Sequence, residues 1–370
     1  MRPTRALIHR DHLLSNLASV RRLVPVGTAV CAAVKADAYG HGAVRVARWL
    51  TEAGVEALGV ATVEEGQQLR AAGLANPVFL LGSLQDDEVL DAVNADLDVF
   101  VWTREAVAAL AQAARGRSRP LRVHVKVDTG MGRVGCPPDQ AESLAEAVVR
   151  ALPLELTGVC THLASSDGPG PVTVSDQLER FAMALGAIHA RGWKPRFVHA
   201  ANSGGITAWP SSHFNLVRPG IVLYGYPPPG TSEAFRPVME LVSRVGFVKT
   251  VRAGTALSYG SRYITDRVTD VATVPTGYAD GYRRAFTNRA PVWIGGKLHR
   301  VSGTVCMDQF LVDLGPDSGV KAGDPVVLFG PRDEGRAQPA PTAEDLAGLA
   351  DTISYEILCG ISARVPRIDA

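Results

Sequence analysis

Lys35 closes an apolar run, Thr28-Ala29-Val30-Cys31-Ala32-Ala33-Val34, and opens a glycine-containing tail, Ala36-Asp37-Ala38-Tyr39-Gly40-His41-Gly42. The run reads as a short buried β-strand and the tail as its loop. An ammonium at the end of a buried strand is costly without a partner. Burial lowers its pKa and leaves a nucleophilic amine. A covalent carbonyl partner removes the charge, so the residue points to a Schiff base and, among cofactors, to pyridoxal phosphate. The alternative for Lys35 taken alone is a side chain that snorkels to solvent.

Other segments offer the donors a cofactor phosphate needs. Asn202-Ser203-Gly204-Gly205 supplies a hydroxyl and glycine-permissive amides, and Arg218-Pro219-Gly220-Ile221 supplies more amides near a strand end. Taken alone, the first is also compatible with an ordinary loop and Arg218 with a surface arginine before a proline turn.

Placing these groups together requires a scaffold, and the hydrophobic pattern describes one. Candidate strands run over Ala29–Val34, Ala57–Val60, Val78–Leu81, Asp98–Val101, Arg122–Val127, Leu156–Thr161, Phe197–Ala200 and Leu216–Leu223. Amphipathic or Ala-rich segments lie between them, such as Val44–Glu52, Val63–Ala71, Arg104–Ala114, Asp139–Ala151 and Ser175–Ala190. A helix over Asp11–Leu23, with Asp11 as its N-cap, precedes the first strand. The alternation predicts a (β/α)₈ TIM-like barrel over residues 1–230. Lys35, Lys126, His162, Ser203 and Arg218 then fall at or just beyond the C-terminal ends of different strands, the face where barrel active sites are built.

After Tyr226-Pro227-Pro228-Pro229-Gly230 the pattern changes to short β-rich runs: Met239–Thr250, Val268–Val274, Pro291–Ile294, Leu298–Val305, Phe310–Leu314 and Pro325–Leu328. Residues 231–370 read as a mostly β C-terminal domain. Pro331–Pro341 reads as a loop, Thr342–Leu349 and Thr352–Leu358 as helical, and Ser362–Ile368 as a closing strand.

The 370 residues carry 38 Lys plus Arg against 37 Asp plus Glu, a balance with no field for nucleic acid or an anionic membrane. Five scattered cysteines without a C-x-x-C pair fit free thiols in a reducing cytoplasm, and they indicate neither a disulfide framework nor a metal site. The stretch Met1–Arg22 lacks an apolar signal core, and no run approaches the roughly 18 apolar residues of a membrane span. A cytoplasmic location is expected.

Several segments together resemble the alanine racemase family. They are Ala33-Val34-Lys35-Ala36-Asp37-Ala38-Tyr39-Gly40-His41-Gly42, Lys126-Val127-Asp128-Thr129-Gly130-Met131-Gly132-Arg133, Ala201-Asn202-Ser203-Gly204-Gly205, Arg218-Pro219-Gly220-Ile221-Val222-Leu223-Tyr224-Gly225, Ser258-Tyr259-Gly260, Gly277-Tyr278-Ala279-Asp280-Gly281-Tyr282 and Cys306-Met307-Asp308-Gln309. The resemblance implies a pyridoxal-phosphate-dependent isomerase that interconverts L-alanine and D-alanine, supplying D-alanine for peptidoglycan, and works as a homodimer with shared active sites. It places the cofactor on Lys35, its phosphate on Ser203, the Gly220 and Ile221 amides, Tyr39 and Tyr355, and its pyridine nitrogen opposite Arg218. Because arginine stays protonated, it donates to that nitrogen and disfavours its protonation. Racemisation needs an acid–base group on each face of Cα. The resemblance assigns Lys35 to one and Tyr259 of the partner to the other, with His162 bonded to Tyr259 and in contact with Arg218. It gives the substrate carboxylate to Arg133 and the Met307 amide, and makes Lys126 the site of a carbamylated lysine that holds Arg133. Tyr282 and Asp308 are expected beside Tyr259 and Met307. Residue type alone leaves Tyr259 open as a surface tyrosine, His162 as a strand-end histidine and Lys126 as an ammonium paired with Asp128.

Three other readings compete. A decarboxylase of basic amino acids on the same barrel disagrees with Arg218, since such enzymes place a carboxylate at the pyridine nitrogen. A non-catalytic pyridoxal-phosphate carrier disagrees with the long segment after the barrel. A racemase of broader amino-acid specificity shares the fold and is the nearest alternative.

Overall fold

The computed structural model describes residues 2–332 and 338–370. The first strand, β1 (Arg5–Ile8), leads into a helix over Arg10–Leu23. Eight strands follow: β2 (Ala29–Ala33), β3 (Ala57–Val60), β4 (Val78–Leu80), β5 (Asp98–Val101), β6 (Leu121–Lys126), β7 (Leu154–Cys160), β8 (Phe197–His199) and β9 (Leu216–Val217). They form one parallel sheet in the order β8-β7-β6-β5-β4-β3-β2-β9, so the last strand returns beside the first and nearly closes a barrel. Strands β3 and β5 are buried along their whole length, as a sheet wrapped by helices requires.

The helices outside it show why they pack. In Ala43–Glu52 the buried residues are Ala43, Val46, Ala47 and Leu50, and in Ala141–Arg150 they are Ala141, Leu144, Ala145 and Val148. Both sets follow the i, i+3, i+4, i+7 spacing of a single apolar face. Side-chain caps start several helices. Thr62 and Glu65 form a capping box on Val63–Ala71, and Asn202 Oδ1 accepts the Gly205 amide at the start of Ser203–Ala208.

Residues from Met239 onward build antiparallel sheets. Their strands alternate buried and part-exposed residues, as in Phe310–Gly315. A six-stranded sheet runs in the order Lys297–Arg300, Pro291–Ile294, Pro325–Phe329, Met239–Arg244, β1, Arg367–Asp369. A three-stranded sheet joins Phe247–Val251, Thr269–Val274 and Phe310–Gly315. A hairpin of Ala256–Leu257 and Tyr263–Ile264 carries Tyr259 between its arms. Thus β1, at the start of the chain, belongs to the sheet of the second unit, paired antiparallel to Met239–Arg244 and parallel to Arg367–Asp369.

Four local expectations change. The first helix begins one residue early, with His9 at its N-cap and Asp11 in the first turn, where a carboxylate favours the helix dipole. The strand expected over Leu216–Leu223 stops at Val217, because Pro219-Gly220 ends it and Ile221–Tyr224 forms a 3₁₀ turn. The run Met239–Thr250 breaks at Val245-Gly246 into two strands in different sheets. Only Lys297–Arg300 of the run over Leu298–Val305 is strand. The loop expected over Pro331–Pro341 lies partly outside the described residues.

Candidate functional site

Lys35, Tyr39, Lys126, Arg133, His162, Ser203, Arg218, Gly220, Ile221 and Tyr355 line one cavity of ≈ 170 Å³. It sits at the C-terminal ends of the barrel strands. Lys35 follows β2, Lys126 ends β6, His162 follows β7, Ser203 lies beyond β8 and Arg218 follows β9.

The turn after Lys35 has an unusual backbone. Ala36, Asp37, Ala38 and Tyr39 all have φ between 52° and 55°, a left-handed turn made of non-glycine residues. Each costs about 1–2 kcal/mol against the right-handed form. The surroundings hold it. Glu65 accepts the Ala36 amide at 2.6 Å, Asp37 accepts the Ala43 amide at 2.7 Å, and Arg367 donates to the Gly40 carbonyl at 2.9 Å. The result brings Lys35 and Tyr39 to the same cavity, with Tyr39 stacked on Tyr224 and near Tyr355.

Opposite them lies a cluster of small donors. The Gly220 and Val222 amides both donate to Ser203 Oγ, at 3.1 and 3.3 Å. A Cβ on Gly220 would fall 2.5 Å from Tyr39 Oη, so only glycine fits this corner. Ile221 begins the 3₁₀ turn, where an amide has no partner within the turn.

Arg218 is 6% exposed, and the acceptors it meets within the chain are all neutral. It donates to His199 Nδ1 at 2.6 Å, to the Thr161 and Ala200 carbonyls at 2.8 and 3.0 Å, and more weakly to His162 Nδ1 at 3.4 Å. Burial, and then the Arg218 charge, hold the His162 pKa well below the usual imidazole range. His162 is therefore neutral, and with Nδ1 facing a guanidinium its proton sits on Nε2.

Burial lowers the Lys35 pKa, with Arg133 the next cause, which raises its free-amine fraction. Burial pushes Lys126 down to about 8. The alternative reading of Lys126, an ammonium paired with Asp128, finds no such ion pair among the described residues. Asp128 Oδ1 instead accepts the Gly130, Met131 and Gly132 amides at 3.0, 3.0 and 3.1 Å, folding the loop that presents Arg133. The cavity holds Lys35, Lys126, Arg133 and Arg218 against one carboxylate, Asp167. That excess of positive charge suits a ligand carrying a phosphate and a carboxylate.

The second-domain candidates lie elsewhere. Tyr259, Met307 and Asp308 line a separate, open depression with Ser258, Tyr278 and Cys306, and it shares no residue with the barrel cavity. Tyr259 is 73% exposed and Met307 53%. Asp308 pairs with Arg364 at 2.6 Å. Tyr282 corrects an expectation: it is 1% exposed and packs on Phe286 and Phe310 in the domain core. The residue of that motif at the surface is Tyr278. Helical phase explains the exchange, since Tyr278 opens a 3₁₀ turn that Gly281 ends with a positive φ, turning residue 282 inward.

The sequence reading also missed Asp167, Phe100, Leu81 and Val134 in the cavity wall, and His124, His199 and Asp98 beneath it. A signal existed for His124: it is a polar member of the alternation Leu121-Arg122-Val123-His124-Val125-Lys126, in a strand that a barrel buries on both faces.

Fold and cavity define a (β/α)₈-barrel protein with an anion-receiving, lysine-bearing mouth and an appended β domain. The family description "Alanine racemase, N-terminal domain" matches residues 8–228, and "Alanine racemase, C-terminal domain" matches residues 238–369. The alanine racemase of Symbiobacterium thermophilum is 44% identical over 370 residues, covering 99% of this chain and 97% of its own. That of Thermobifida fusca is 42% identical over 368 residues, covering 98% and 97%. The crystal structure of alanine racemase from D-cycloserine producing Streptomyces lavendulae superimposes with a TM-score of 0.93 at 40% identity, covering 100% of this chain and 97% of that one. Alanine racemase from Streptomyces coelicolor A3(2) gives 0.92 at 41%, covering 100% and 98%. The chain belongs to the alanine racemase family, a family of isomerases. Among the described residues, no helix is long and apolar enough to cross a membrane.

Proposed function

We propose that this protein interconverts L-alanine and D-alanine with pyridoxal 5'-phosphate, as a cytoplasmic homodimer, and that its D-alanine serves peptidoglycan synthesis. The barrel over 1–230, joined by the domain over 231–370, supplies the cofactor site. The observation that carries the reading is the cavity in which the part-buried Lys35, a buried arginine and a tightly packed corner of amides at Gly220 converge.

When bound, the cofactor supplies an aldehyde for an amine and an electron-withdrawing ring that acidifies the substrate's Cα–H. The residues present fit it. Lys35 would hold the aldehyde carbon, while Ser203, the Gly220 and Ile221 amides, Tyr39 and Tyr355 would hold the phosphate. Arg218 would face the ring nitrogen. It has donors only, so it disfavours a proton there and keeps electron withdrawal moderate. The Lys35 amine, its pKa lowered, serves as base or acid on one face of Cα.

Tyr259 serves the other face. Its exposure and its separate depression support a second copy of the chain that brings it to the partner's cavity, with Met307 offering its amide, and Asp308 and Tyr278 at the rim. His162, neutral with a proton on Nε2, stands ready to bond the arriving phenol. Arg133 receives the substrate carboxylate. Lys126, with its lowered pKa and no carboxylate partner among the described residues, has the free-amine fraction that carbamylation by CO₂ requires, and the new carboxylate would hold Arg133.

The test is a chirality assay. L-alanine incubated with the cofactor-loaded protein should yield D-alanine and approach a 1:1 mixture. No D-alanine from L-alanine, with fast racemisation of a bulkier amino acid, would replace this reading with one of broader specificity.

A further inference from the structure

We propose that Asp98 is a positioning residue that fixes, through His124 and His199, the way Arg218 faces the cavity. The observation is a buried file of polar groups that crosses the barrel interior. Asp98 begins β5 at the end of the barrel away from the cavity, His124 lies within β6, His199 ends β8 and Arg218 follows β9. The distances are 2.6 Å from Arg218 NH1 to His199 Nδ1, 2.9 Å from His199 Nε2 to His124 Nδ1, and 3.7 Å from His124 Nε2 to Asp98 Oδ2. Asp98, His124 and His199 are each 0% exposed.

Proton counting gives this file one direction. A guanidinium has only donors, so His199 Nδ1 must accept. Neutral His199 then carries its proton on Nε2 and donates to His124 Nδ1. Neutral His124 carries its proton on Nε2, which points at Asp98 Oδ2. Among the described residues neither Asp98 Oδ2 nor His124 Nε2 has a hydrogen-bond partner, and the two buried atoms face each other at 3.7 Å. Arg122 Nε donates to the other carboxylate oxygen, Asp98 Oδ1, at 2.7 Å. Burial keeps both rings neutral, holding the His199 pKa well below and the His124 pKa below the usual imidazole range.

The barrel is shaped around these rings. His124 stacks on Phe100 and contacts Phe79, with centroids at 4.9 and 4.6 Å. A Cβ on Gly158 would fall 2.1 Å from His124 Nδ1, so the strand leaves a gap for the imidazole. A carboxylate is the terminal group that suits both neighbours of the file. It accepts from Arg122 on one oxygen and turns the other, still unpartnered, toward the His124 Nε2 proton at 3.7 Å.

An amide at this position is nearly isosteric but asymmetric. In Asp98→Asn, the oxygen is claimed by Arg122, whose Nε can only donate. The NH₂ group then faces His124 Nε2. That favours the opposite tautomer in both rings, and an N–H of His199 would confront an N–H of Arg218. The arginine must then turn or lose its closest acceptor.

The consequence for turnover rests on the reading of Arg218 given above; the order of the protons does not. The experiment is ¹⁵N NMR of the cofactor-loaded protein labelled at histidine, with His124 identified by the signal lost in His124→Gln. Wild type should show both rings neutral and protonated on Nε2. Asp98→Asn should move both toward the Nδ1–H form and lower kcat by about tenfold or more, with KM changed far less. Nδ1–H on either ring in wild type would overturn the proposal, even if the variant does not fold. Unchanged tautomers in Asp98→Asn would overturn it too, as would changed tautomers with unchanged kcat. A wild-type protein with the expected spectrum but no alanine racemisation would refute the functional reading alone.

Discussion

In the barrel cavity Lys126 and Arg218 are 8% and 6% exposed, whereas in the second-domain depression Tyr259 and Met307 stand 73% and 53% exposed. Several barrel groups already have partners within one chain. Arg218 has four acceptors, Ser203 receives two amides, and a left-handed turn holds Lys35 beside Tyr39. In the second domain Asp308 pairs with Arg364, but among the described residues the Tyr259 phenol has no hydrogen-bond partner. Ser258 is fixed by a bond to the Thr304 carbonyl at 2.6 Å, and the Tyr259 carbonyl accepts from Thr304 at 2.7 Å, yet the phenol extends into solvent. A preorganised site costs little to use. An exposed tyrosine with a constrained backbone is a group prepared for a partner. On the proposed dimer, one chain would hold two half-sites of unequal completeness.

The largest effect should come from breaking each half in turn. Lys35→Ala should lower turnover by about 10³-fold or more, and Tyr259→Phe by about 10²–10⁴-fold. The phenylalanine keeps the ring, so cofactor binding should change little. Mixing the two inactive variants under subunit exchange should restore activity, because one hybrid site contains both wild-type residues. Heterodimers shown by mass to have formed, yet without activity, would mean that the halves are not shared.

The same contrast explains what the sequence could and could not convey. Lys35 drew attention because an ammonium at the end of an apolar strand is locally anomalous, whereas the roles expected of Lys126 and Arg218 came from the family resemblance. The strands themselves were legible from continuous apolar runs. The left-handed turn over Ala36–Tyr39 was not, since alanine and tyrosine carry no preference for positive φ, and only the tertiary bonds from Glu65 and Arg367 select it. Nor did β1 announce its sheet: Arg5-Ala6-Leu7-Ile8 is short and lacks a polar alternation, and its partners on both sides lie more than 230 residues away. The choice between Tyr278 and Tyr282 depended on the phase of one short turn. The file from Asp98 to Arg218 joins four strands or strand ends, so no single segment contains it.

Acid should weaken the barrel through its buried imidazoles. Burial lowers the pKa of His41 to about 4 and holds His124, His162 and His199 below the usual range. In the unfolded chain each returns to about 6.5. Below that value the unfolded state binds more protons than the folded one, so stability falls as pH drops from about 6.5 toward 4. It is fully present above about 6.5. For His41 alone the loss is on the order of 3 kcal/mol. Denaturant unfolding at a series of pH values should show this slope, and hydrogen exchange should place the early loss of protection in the barrel strands. A flat profile over that window would mean that these rings are more hydrated than their burial implies.

The smallest effect sharpens the second half of the comparison. Tyr282 Oη is buried without a hydrogen-bond partner, while Tyr278 is 43% exposed beside Tyr259 and Met307. A buried hydroxyl without a partner costs about 1–3 kcal/mol, so its removal relieves rather than creates a penalty. Tyr282→Phe keeps the ring against Phe286 and Phe310. It should leave turnover within about twofold and raise stability by about 1 kcal/mol, a shift of roughly 1 °C in Tm for a chain of this length. Tyr278→Phe, by contrast, should leave stability unchanged and act on substrate turnover, because its hydroxyl belongs to the face that meets the partner. If Tyr282→Phe instead lowers kcat strongly at unchanged Tm, the phenol of Tyr282 takes part in the site. Tyr278 would then be an ordinary surface residue.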